Sequence, residues 1–275
     1  MTHTEEGNLR RESAVKDSAI SVTAISKAFN HQQKLIPALA SISLYASRGE
    51  FVTIVGNSGC GKSTLFNVIA GLETPDSGQV HLNGILTQGK TGLVGYMPQR
   101  DLLLPWRRVI DNITLGVEIR GGDMNEARCY ATELLPDFGL DGFARSYPHQ
   151  LSGGMRQRAA LLRTLLTGHD VLLLDEPFGA LDALTRLEMQ QWLLDIWGRF
   201  KKTILFISHD IDEAITLSDR IYVMSPRPAQ ITAEISINLE RPRPPLLTTH
   251  NDFEHYKRKL FQYLGVITSN SEART

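Results

Sequence analysis

The chain alternates short apolar runs with longer amphipathic stretches, and this alternation predicts its secondary structure. Runs of four to eight apolar residues that end at glycine, proline or a polar residue are typical of buried strands. Such runs are predicted as strands at residues 51–55, 92–97, 171–174, 203–208, 222–224 and 231–235. Residues 20–44 contain further strand-like runs, and the pattern predicts that residues 30–34 and Pro37 interrupt them. Asn83-Gly84 is typical of a hairpin turn.

Helices are predicted after several of these strands. The helix-like segments are residues 62–70, 184–200, 211–217 and 253–264, and residues 101–166 consist mostly of helices, at 109–115, at 125–138 and from Ser152 onward. Strands that alternate with helices predict an α/β core with a mainly parallel sheet. The strand-like runs that precede the first glycine-rich loop are expected to form an antiparallel β part at the N-terminal end.

This pattern also predicts the domain organisation. Residues 1–19 are polar and are expected to form a flexible N-terminal segment. Residues 20–240 are expected to form one domain, with residues from about 100 to 166 inserted as a helical subdomain. Arg241-Pro242-Arg243-Pro244-Pro245 breaks regular structure, so residues 241–275 are interpreted as a C-terminal tail with a short helix.

Composition and charge narrow the function classes. The chain has 275 residues, 42% of them hydrophobic and 21% charged, with a formal net charge of -1. The near-equal numbers of basic and acidic residues argue against a nucleic-acid partner. Cys60 and Cys129 lack metal-ligand spacing and are expected to be free thiols in a reducing compartment. No signal peptide or membrane span is predicted, so the chain is expected to be cytosolic and, if it works at a membrane, to be held there by a partner.

A glycine-rich loop between a predicted strand and a predicted helix carries the first chemistry. Gly56-Asn57-Ser58-Gly59-Cys60-Gly61-Lys62-Ser63-Thr64 fits the phosphate-binding pattern GxxxxGK[ST]. Backbone N–H groups of such a loop point at phosphate oxygens, and the following helix adds its positive dipole end. Lys62 is expected to neutralise the β- and γ-phosphates, and the Ser63 hydroxyl is expected to bind Mg²⁺. The sequence therefore predicts an ATP- or GTP-hydrolysing enzyme of the P-loop class.

Two carboxylates end the predicted strand at residues 171–174. Asp175 is expected to hold Mg²⁺, and Glu176 is expected to polarise the water that attacks the γ-phosphate. Without the phosphate loop, the same carboxylates would equally fit a strand that ends in solvent.

The segment Leu151-Ser152-Gly153-Gly154-Met155-Arg156-Gln157-Arg158 resembles the signature sequence of ABC ATPases. Ser152 also suits the N-cap of a helix. The resemblance covers about residues 20–235 and implies a RecA-like P-loop core. In that family, two ATP molecules lie between two cassettes arranged head to tail. The resemblance therefore implies that Ser152, Gly153 and Gly154 contact the γ-phosphate held by a second copy of the chain.

Other positions match motifs of this family, and the resemblance implies a role for each of them. Gln99 resembles the glutamine that senses Mg²⁺ and the membrane partner, Asp182 lies in a match to the D-loop, and His209 resembles the switch histidine. Phe29 lies where the family places an aromatic residue that stacks on adenine. The implied catalytic residues are Lys62, Glu176 and His209, and the implied Mg²⁺ ligands are Ser63, Gln99 and Asp175. The implied ATP contacts are Phe29, Gly56, Asn57, Ser58, Gly59, Cys60, Gly61, Lys62, Ser63, Thr64, Gln99, Ser152, Gly153, Gly154 and Asp182.

Further segments resemble the nitrate, sulfonate and taurine importer subfamily. They are residues 96–106, with Leu102-Leu103-Leu104-Pro105-Trp106 at their end, and residues 111–113, 148–155, 178–186 and 224–228. The resemblance implies two such ATPases, two permease subunits that hold them at the cytoplasmic face of the membrane, and an extracytoplasmic solute-binding protein. The apolar stretch from Leu102 to Trp106 is interpreted as the permease contact, although internal packing would also explain it.

Alternative functions remain open at this point. They are the ATPase of another importer or exporter class, a soluble ABC ATPase in DNA repair or translation, and a non-hydrolysing regulatory module. The sequence shows no long coiled-coil insertion and no second cassette. Lys62, Asp175, Glu176 and His209 favour hydrolysis.

Overall fold

A computed structural model describes residues 18–32, 34–87 and 89–266. The chain divides into two compact units, one formed by Met1–Leu93 and Ile196–Thr275 and the other by Val94–Asp195. Residues 1–17 of the predicted flexible segment lie outside the described residues, whereas Ser18 and Ala19 already belong to the first strand. No helix in the described part of the chain is long and apolar enough to span a membrane.

The first unit contains an antiparallel sheet near its N-terminal end, as predicted. Its strands are β1 (Ser18–His31), β2 (Lys34–Ser47), β4 (Ser77–Leu82) and β5 (Ile85–Leu86), in the order β2-β1-β4-β5. Asn83 and Gly84 connect β4 to β5, with φ angles of 51° and 79°. Positive φ at both central residues is what a tight hairpin requires, so the Asn-Gly prediction is confirmed.

The predicted interruption at Pro37 is wrong. Pro37 lies inside β2 and pairs with Ala28 of β1. Proline cannot donate a backbone hydrogen bond, but β2 lies at the end of its sheet, where one edge needs no partner. The sequence pattern did not show that β2 is an edge strand.

The same unit holds a mainly parallel group of strands. They are β3 (Phe51–Gly56), β8 (Thr203–Ser208), β9 (Arg220–Met224) and β10 (Ile231–Ser236). β3 pairs in parallel with both β8 and β9, and β10 adds antiparallel to β9. Every residue of β3 and β8 is buried, which explains why both read as continuous apolar runs.

Helices pack against these strands. They are α1 (Lys62–Ile69), α7 (Ile211–Leu217) and α8 (Asn251–Tyr263). Phe253 and Leu260 of α8 belong to a buried cluster with Ile215 of α7 and Val223 of β9. The tail helix is therefore part of the core of this unit.

Arg243 anchors the segment that leads to α8. Its guanidinium is buried and donates to the backbone carbonyls of Ile215, Ser218 and Leu239, at 2.9, 2.6 and 2.8 Å. Burial lowers the pKa of Arg243 to about 10, so the side chain stays protonated at neutral pH. The proline-rich stretch breaks regular structure as predicted. The sequence did not indicate that Arg243 is buried and anchors this stretch by hydrogen bonds.

The second unit, Val94–Asp195, contains the helical insertion. Strands β6 (Gly95–Met97) and β7 (Val171–Asp175) pair in parallel. The helices that lie between them are α2 (Val109–Ile113), α3 (Leu115–Ile119), α4 (Met124–Leu134) and α5 (Gly153–Leu165), with a short 3₁₀ turn at Pro148–Gln150. Helix α6 (Ala183–Phe200) follows β7 and crosses the division of the chain between Asp195 and Ile196.

Candidate nucleotide-binding and hydrolysis site

The phosphate loop connects β3 to α1 as the sequence predicts. Gly59 and Gly61 have φ angles of 72° and 128°, a backbone region that favours glycine. A Cβ added at Gly61 would lie 3.1 Å from Leu39 Cδ2 and 3.2 Å from the Ala38 carbonyl oxygen. Asn57, Ser58, Gly59 and Ser63 are exposed, whereas Cys60 and Gly61 are buried and Thr64 is half-buried. The loop thus turns one side towards the protein and leaves the other accessible to an anion.

Lys62 is the first residue of α1 and is only 5% exposed. Its Nζ donates to the carbonyl oxygens of Gly56 at 2.7 Å and Asn57 at 3.2 Å. These bonds hold the ammonium within the curl of the loop. A nearly buried cation, held by the neutral carbonyls of its own loop, is a strong site for phosphate oxygens.

His209 directly follows the last residue of β8, next to the start of the phosphate loop. Val55 of β3 pairs with Ser208 of β8, and the next residues of the two parallel strands are Gly56 and His209. His209 itself is exposed. The structure therefore brings these two predicted site positions to neighbouring strand ends.

Polar contacts on both sides of His209 fix its backbone. The Ser208 hydroxyl donates to the Glu213 carboxylate and accepts from the Asp210 N–H at 2.9 Å. Asp210 then caps α7 by accepting from the N–H groups of Asp212 and Glu213, at 2.9 and 3.1 Å. Sequence reasoning identified His209 but missed Ser208 and Glu213, whose pairing depends on how α7 follows β8.

Phe29 lies near the end of β1, opposite Ile36 of β2. It is 38% exposed, and Leu35 and Ile36 are exposed beside it on the same hairpin. The ring is thus accessible at the surface, as a residue that stacks on a base must be. Its predicted contact with adenine stays a prediction.

Asp175 and Glu176 lie at the end of β7 in the second unit. Asp175 is 4% exposed and is the last residue of the strand. Desolvation and the nearby Asp175 charge raise the pKa of Tyr96 on the adjacent strand β6. The Asp175 carboxyl group thus lies near Tyr96 in a largely desolvated region.

Glu176 has a φ of 46°, which is uncommon outside glycine. The chain therefore turns sharply where β7 ends, and Glu176 leaves the strand direction that Asp175 follows. Gln99, which follows β6, donates from Nε2 to Glu176 Oε2 at 3.1 Å. The structure thus brings together two residues that are far apart in sequence and that were both predicted for the site. Strained backbone of this kind is concentrated at functional sites.

The signature segment begins helix α5. Ser152 is the N-cap, and its hydroxyl accepts from the Met155 N–H at 3.2 Å, so the predicted cap is confirmed. Ser152 is exposed, Gly153 is half-buried and Gly154 is buried. A Cβ added at Gly154 would lie 3.2 Å from Thr185 Cγ2, so helix α5 begins in close contact with the start of α6. The N-terminus of α5 carries its unpaired N–H groups at an accessible surface, where an anion would be stabilised.

Asp182 precedes α6 and is exposed. Its Oδ1 accepts from the Thr185 N–H at 3.0 Å. This hydrogen bond holds the pKa of Asp182 below its ordinary value. Its predicted role in an ATP site remains a prediction.

The apolar stretch after Gln99 forms a loop and turn rather than a helix. Leu102 and Trp106 are 57% and 71% exposed, whereas Leu103 is buried. Internal packing therefore accounts for Leu103 but leaves Leu102 and Trp106 at the surface.

Two arginines of α5 hold this loop. Arg156 Nε donates to Asp101 Oδ2 at 3.2 Å, and Arg163 donates to the carbonyl oxygens of Leu102 at 2.8 Å and Asp101 at 2.5 Å. Burial lowers the pKa of Arg163 from its ordinary value. The helix that begins with the signature is thus bonded directly to the exposed apolar loop.

Residues 39–179 match the family model described as ABC transporter, which is more than half of the chain. The chain belongs to the ABC transporter family. It is an ATP-hydrolysing cassette of that family, and the fold class predicted from the sequence is confirmed.

Relatives within the family include several import ATP-binding proteins. The chain is 41% identical to the aliphatic sulfonates import ATP-binding protein of Bacillus cereus, over 88% of this chain and 94% of that protein. It is 44% identical to the taurine import ATP-binding protein of Rhizobium johnstonii, over 76% of this chain and 79% of that protein. These likenesses confirm the resemblance to the sulfonate and taurine group.

A solved ABC cassette has the same architecture. It is a dimeric cassette in a post-hydrolysis state, bound to ADP and phosphate. It is 29% identical to this chain, covers 80% of this chain and 100% of its own length, and superposes with a TM-score of 0.71.

Proposed function

We propose that this chain powers the import of a small solute by binding and hydrolysing MgATP between two copies of itself. The observation that carries this proposal is the phosphate loop, with Lys62 held in its curl by Gly56 and Asn57. The catalytic, ATP-binding and metal-binding roles given below to individual residues belong to the proposal.

The predicted magnesium ligands fit the preferences of that ion. Ser63, Gln99 and Asp175 offer a hydroxyl, an amide carbonyl and a carboxylate, which are hard oxygen donors. So few protein donors suit Mg²⁺, which commonly keeps water and phosphate oxygens as its other ligands. Bound there, the ion would neutralise charge on the β- and γ-phosphates.

Glu176 would position and polarise the attacking water. The hydrogen bond from Gln99 fixes the orientation of the Glu176 carboxylate. Lys62 would neutralise phosphate charge, and His209 would contact the γ-phosphate from the strand end beside the loop. Phosphoryl transfer needs positioning and charge neutralisation more than covalent chemistry, so these groups suffice.

A second copy would complete each site. The exposed N-terminus of α5, with Ser152 as its cap, is suited to a phosphate that another chain holds. The dimeric state of the solved ABC cassette supports this arrangement. Closing and opening of the dimer would then follow ATP binding and hydrolysis.

The loop with Leu102 and Trp106 would contact a permease subunit. Two large exposed apolar side chains on one short loop favour a protein contact. Arg156 and Arg163 would transmit motion of this loop to the signature helix, because both bond to it directly. Contact with permease subunits would also place the chain at the cytoplasmic face of the membrane.

Trp106→Ala is expected to weaken retention of permease subunits at least about five-fold and to leave ATP affinity unchanged, since an exposed aromatic anchor commonly contributes more than 1 kcal/mol to an interface. The tagged chain is expressed in its native host, and the polytopic membrane proteins it retains in detergent are quantified by mass spectrometry. Tyr130→Ala removes another exposed aromatic residue from the same unit and is expected to retain them normally. Full retention by Trp106→Ala would contradict the docking role.

The candidate solutes are sulfonates, taurine, nitrate and a vitamin precursor. Relatives at similar identity are named for the import of aliphatic sulfonates, taurine, nitrate and formylaminopyrimidine. An extracytoplasmic binding protein would select among them. Deleting the gene is expected to abolish uptake of one such solute as sole sulfur or nitrogen source, and Glu176→Gln should fail to restore it. Normal uptake of every candidate in the deletion strain would contradict import.

A further inference from the structure

Lys27 occupies an unusual position beside Phe29 on β1. The two residues are separated by one position, so their side chains lie on the same face of the strand. Lys27 Nζ lies over the Phe29 ring, 5.4 Å from its centroid. An ammonium in this position is attracted by the negative face of the ring.

A small polar network holds the ammonium there. Lys27 Nζ donates to the Thr74 carbonyl oxygen at 2.7 Å and lies 3.6 Å from Glu73 and 3.7 Å from Asp76. Asp76 also accepts from the Ala28 N–H at 2.7 Å, which ties the same network to the backbone between Lys27 and Phe29. The Lys27 side chain is only 14% exposed, so its position is restricted.

The ammonium covers one face of the Phe29 ring. Phe29 remains 38% exposed, so the ring still offers a surface to a ligand. A cation on one face draws electron density towards itself and makes the opposite face a better partner for an electron-rich aromatic base. The face opposite the ammonium is therefore the better one for a base to stack on.

We propose that Lys27 is a positioning residue for the nucleotide base, which holds and polarises the Phe29 ring so that adenine stacks on its free face. This inference rests on the proposed base contact of Phe29. Lys27 does not act as a phosphate ligand, because Glu73 and Asp76 offset its charge.

The test distinguishes an effect on binding of the adenine base from an effect on binding of the phosphates. Binding of ATP and of inorganic tripolyphosphate, each with Mg²⁺, is measured by calorimetry. Lys27→Met is expected to weaken ATP binding by about five-fold, the scale of a cation–π contact, and to leave tripolyphosphate binding unchanged. Lys27→Arg keeps the cation and should restore ATP binding. Lys34→Met removes an exposed lysine from the same hairpin and should bind both ligands normally.

Phe29→Leu distinguishes failure of this inference from failure of the base contact. If Phe29→Leu weakens ATP binding and Lys27→Met does not, the role of Lys27 is wrong and the base contact stands. If Phe29→Leu binds ATP like the unmodified chain, the base contact itself is wrong, and the inference falls with it. Equal weakening of ATP and tripolyphosphate in Lys27→Met would also overturn the inference, because it would indicate a phosphate or folding effect.

Discussion

Glu176→Gln is expected to lower ATP turnover by roughly 100- to 1000-fold, the usual contribution of a positioned general base. The amide keeps the size of the side chain and can still accept a hydrogen bond from Gln99, whose Nε2 lies 3.1 Å from Glu176 Oε2. It cannot take a proton from water. Binding of MgATP should therefore remain within about three-fold of the unmodified chain, since the phosphate loop is untouched.

Steady-state phosphate release and MgATP affinity are measured on the same preparation. Glu126→Gln serves as the control, because Glu126 is an exposed carboxylate on α4 of the same unit. The control should hydrolyse ATP at the ordinary rate. Turnover in Glu176→Gln within two-fold of that rate would remove Glu176 from the role of base.

Lys62→Met is expected to weaken MgATP binding by at least about 100-fold, which corresponds to about 2.7 kcal/mol. Lys62 is nearly buried, and its ammonium is held at 2.7 Å from the Gly56 carbonyl and 3.2 Å from the Asn57 carbonyl. Phosphate oxygens would gain charge-assisted hydrogen bonds from this preplaced cation. Methionine fills similar space but offers no donor, so the loss should appear in affinity.

Calorimetry with MgATP measures the loss, and thermal unfolding shows whether the variant is folded. Lys90→Met removes an exposed lysine from the same unit and should bind normally. A folded Lys62→Met protein that binds MgATP within three-fold of the control would show that Lys62 does not hold the phosphates.

The phosphate loop could be predicted because its signal is local. A continuous apolar run predicts β3, and Gly59 and Gly61 have the positive φ angles that glycine permits. Gly71, also at positive φ, follows the end of α1, where glycine commonly ends a helix. Strand β7 and its terminal Asp175 could be predicted equally well. All five residues of β7 are buried, so the strand is a continuous apolar run without alternating polar residues.

Features that depend on neighbours distant in sequence were missed. Pro37 seemed to end a strand because the edge position of β2 is a property of the sheet. The sequence pattern assigns Arg243 to a C-terminal tail, although its guanidinium bonds to carbonyls of α7 that lie more than 20 positions earlier. The contact of Lys27 with Glu73 and Asp76 depends in the same way on a distant loop.

Two of the proposed roles require a partner molecule. Ser152 is visible as a helix cap, and the structure confirms that cap. Its proposed contact with phosphate needs a second copy. Leu102 and Trp106 are exposed, which agrees with a docking loop, and their proposed contact needs a permease subunit.

The central claim is that two copies of this chain enclose ATP. Light scattering after size exclusion measures it most directly, with Glu176→Gln chosen because hydrolysis would otherwise reopen the dimer. With MgATP, the account predicts a particle of twice the 30.7 kDa chain mass, and without nucleotide it predicts the single chain. A Glu176→Gln protein that is saturated with MgATP and still has the mass of one chain would contradict it.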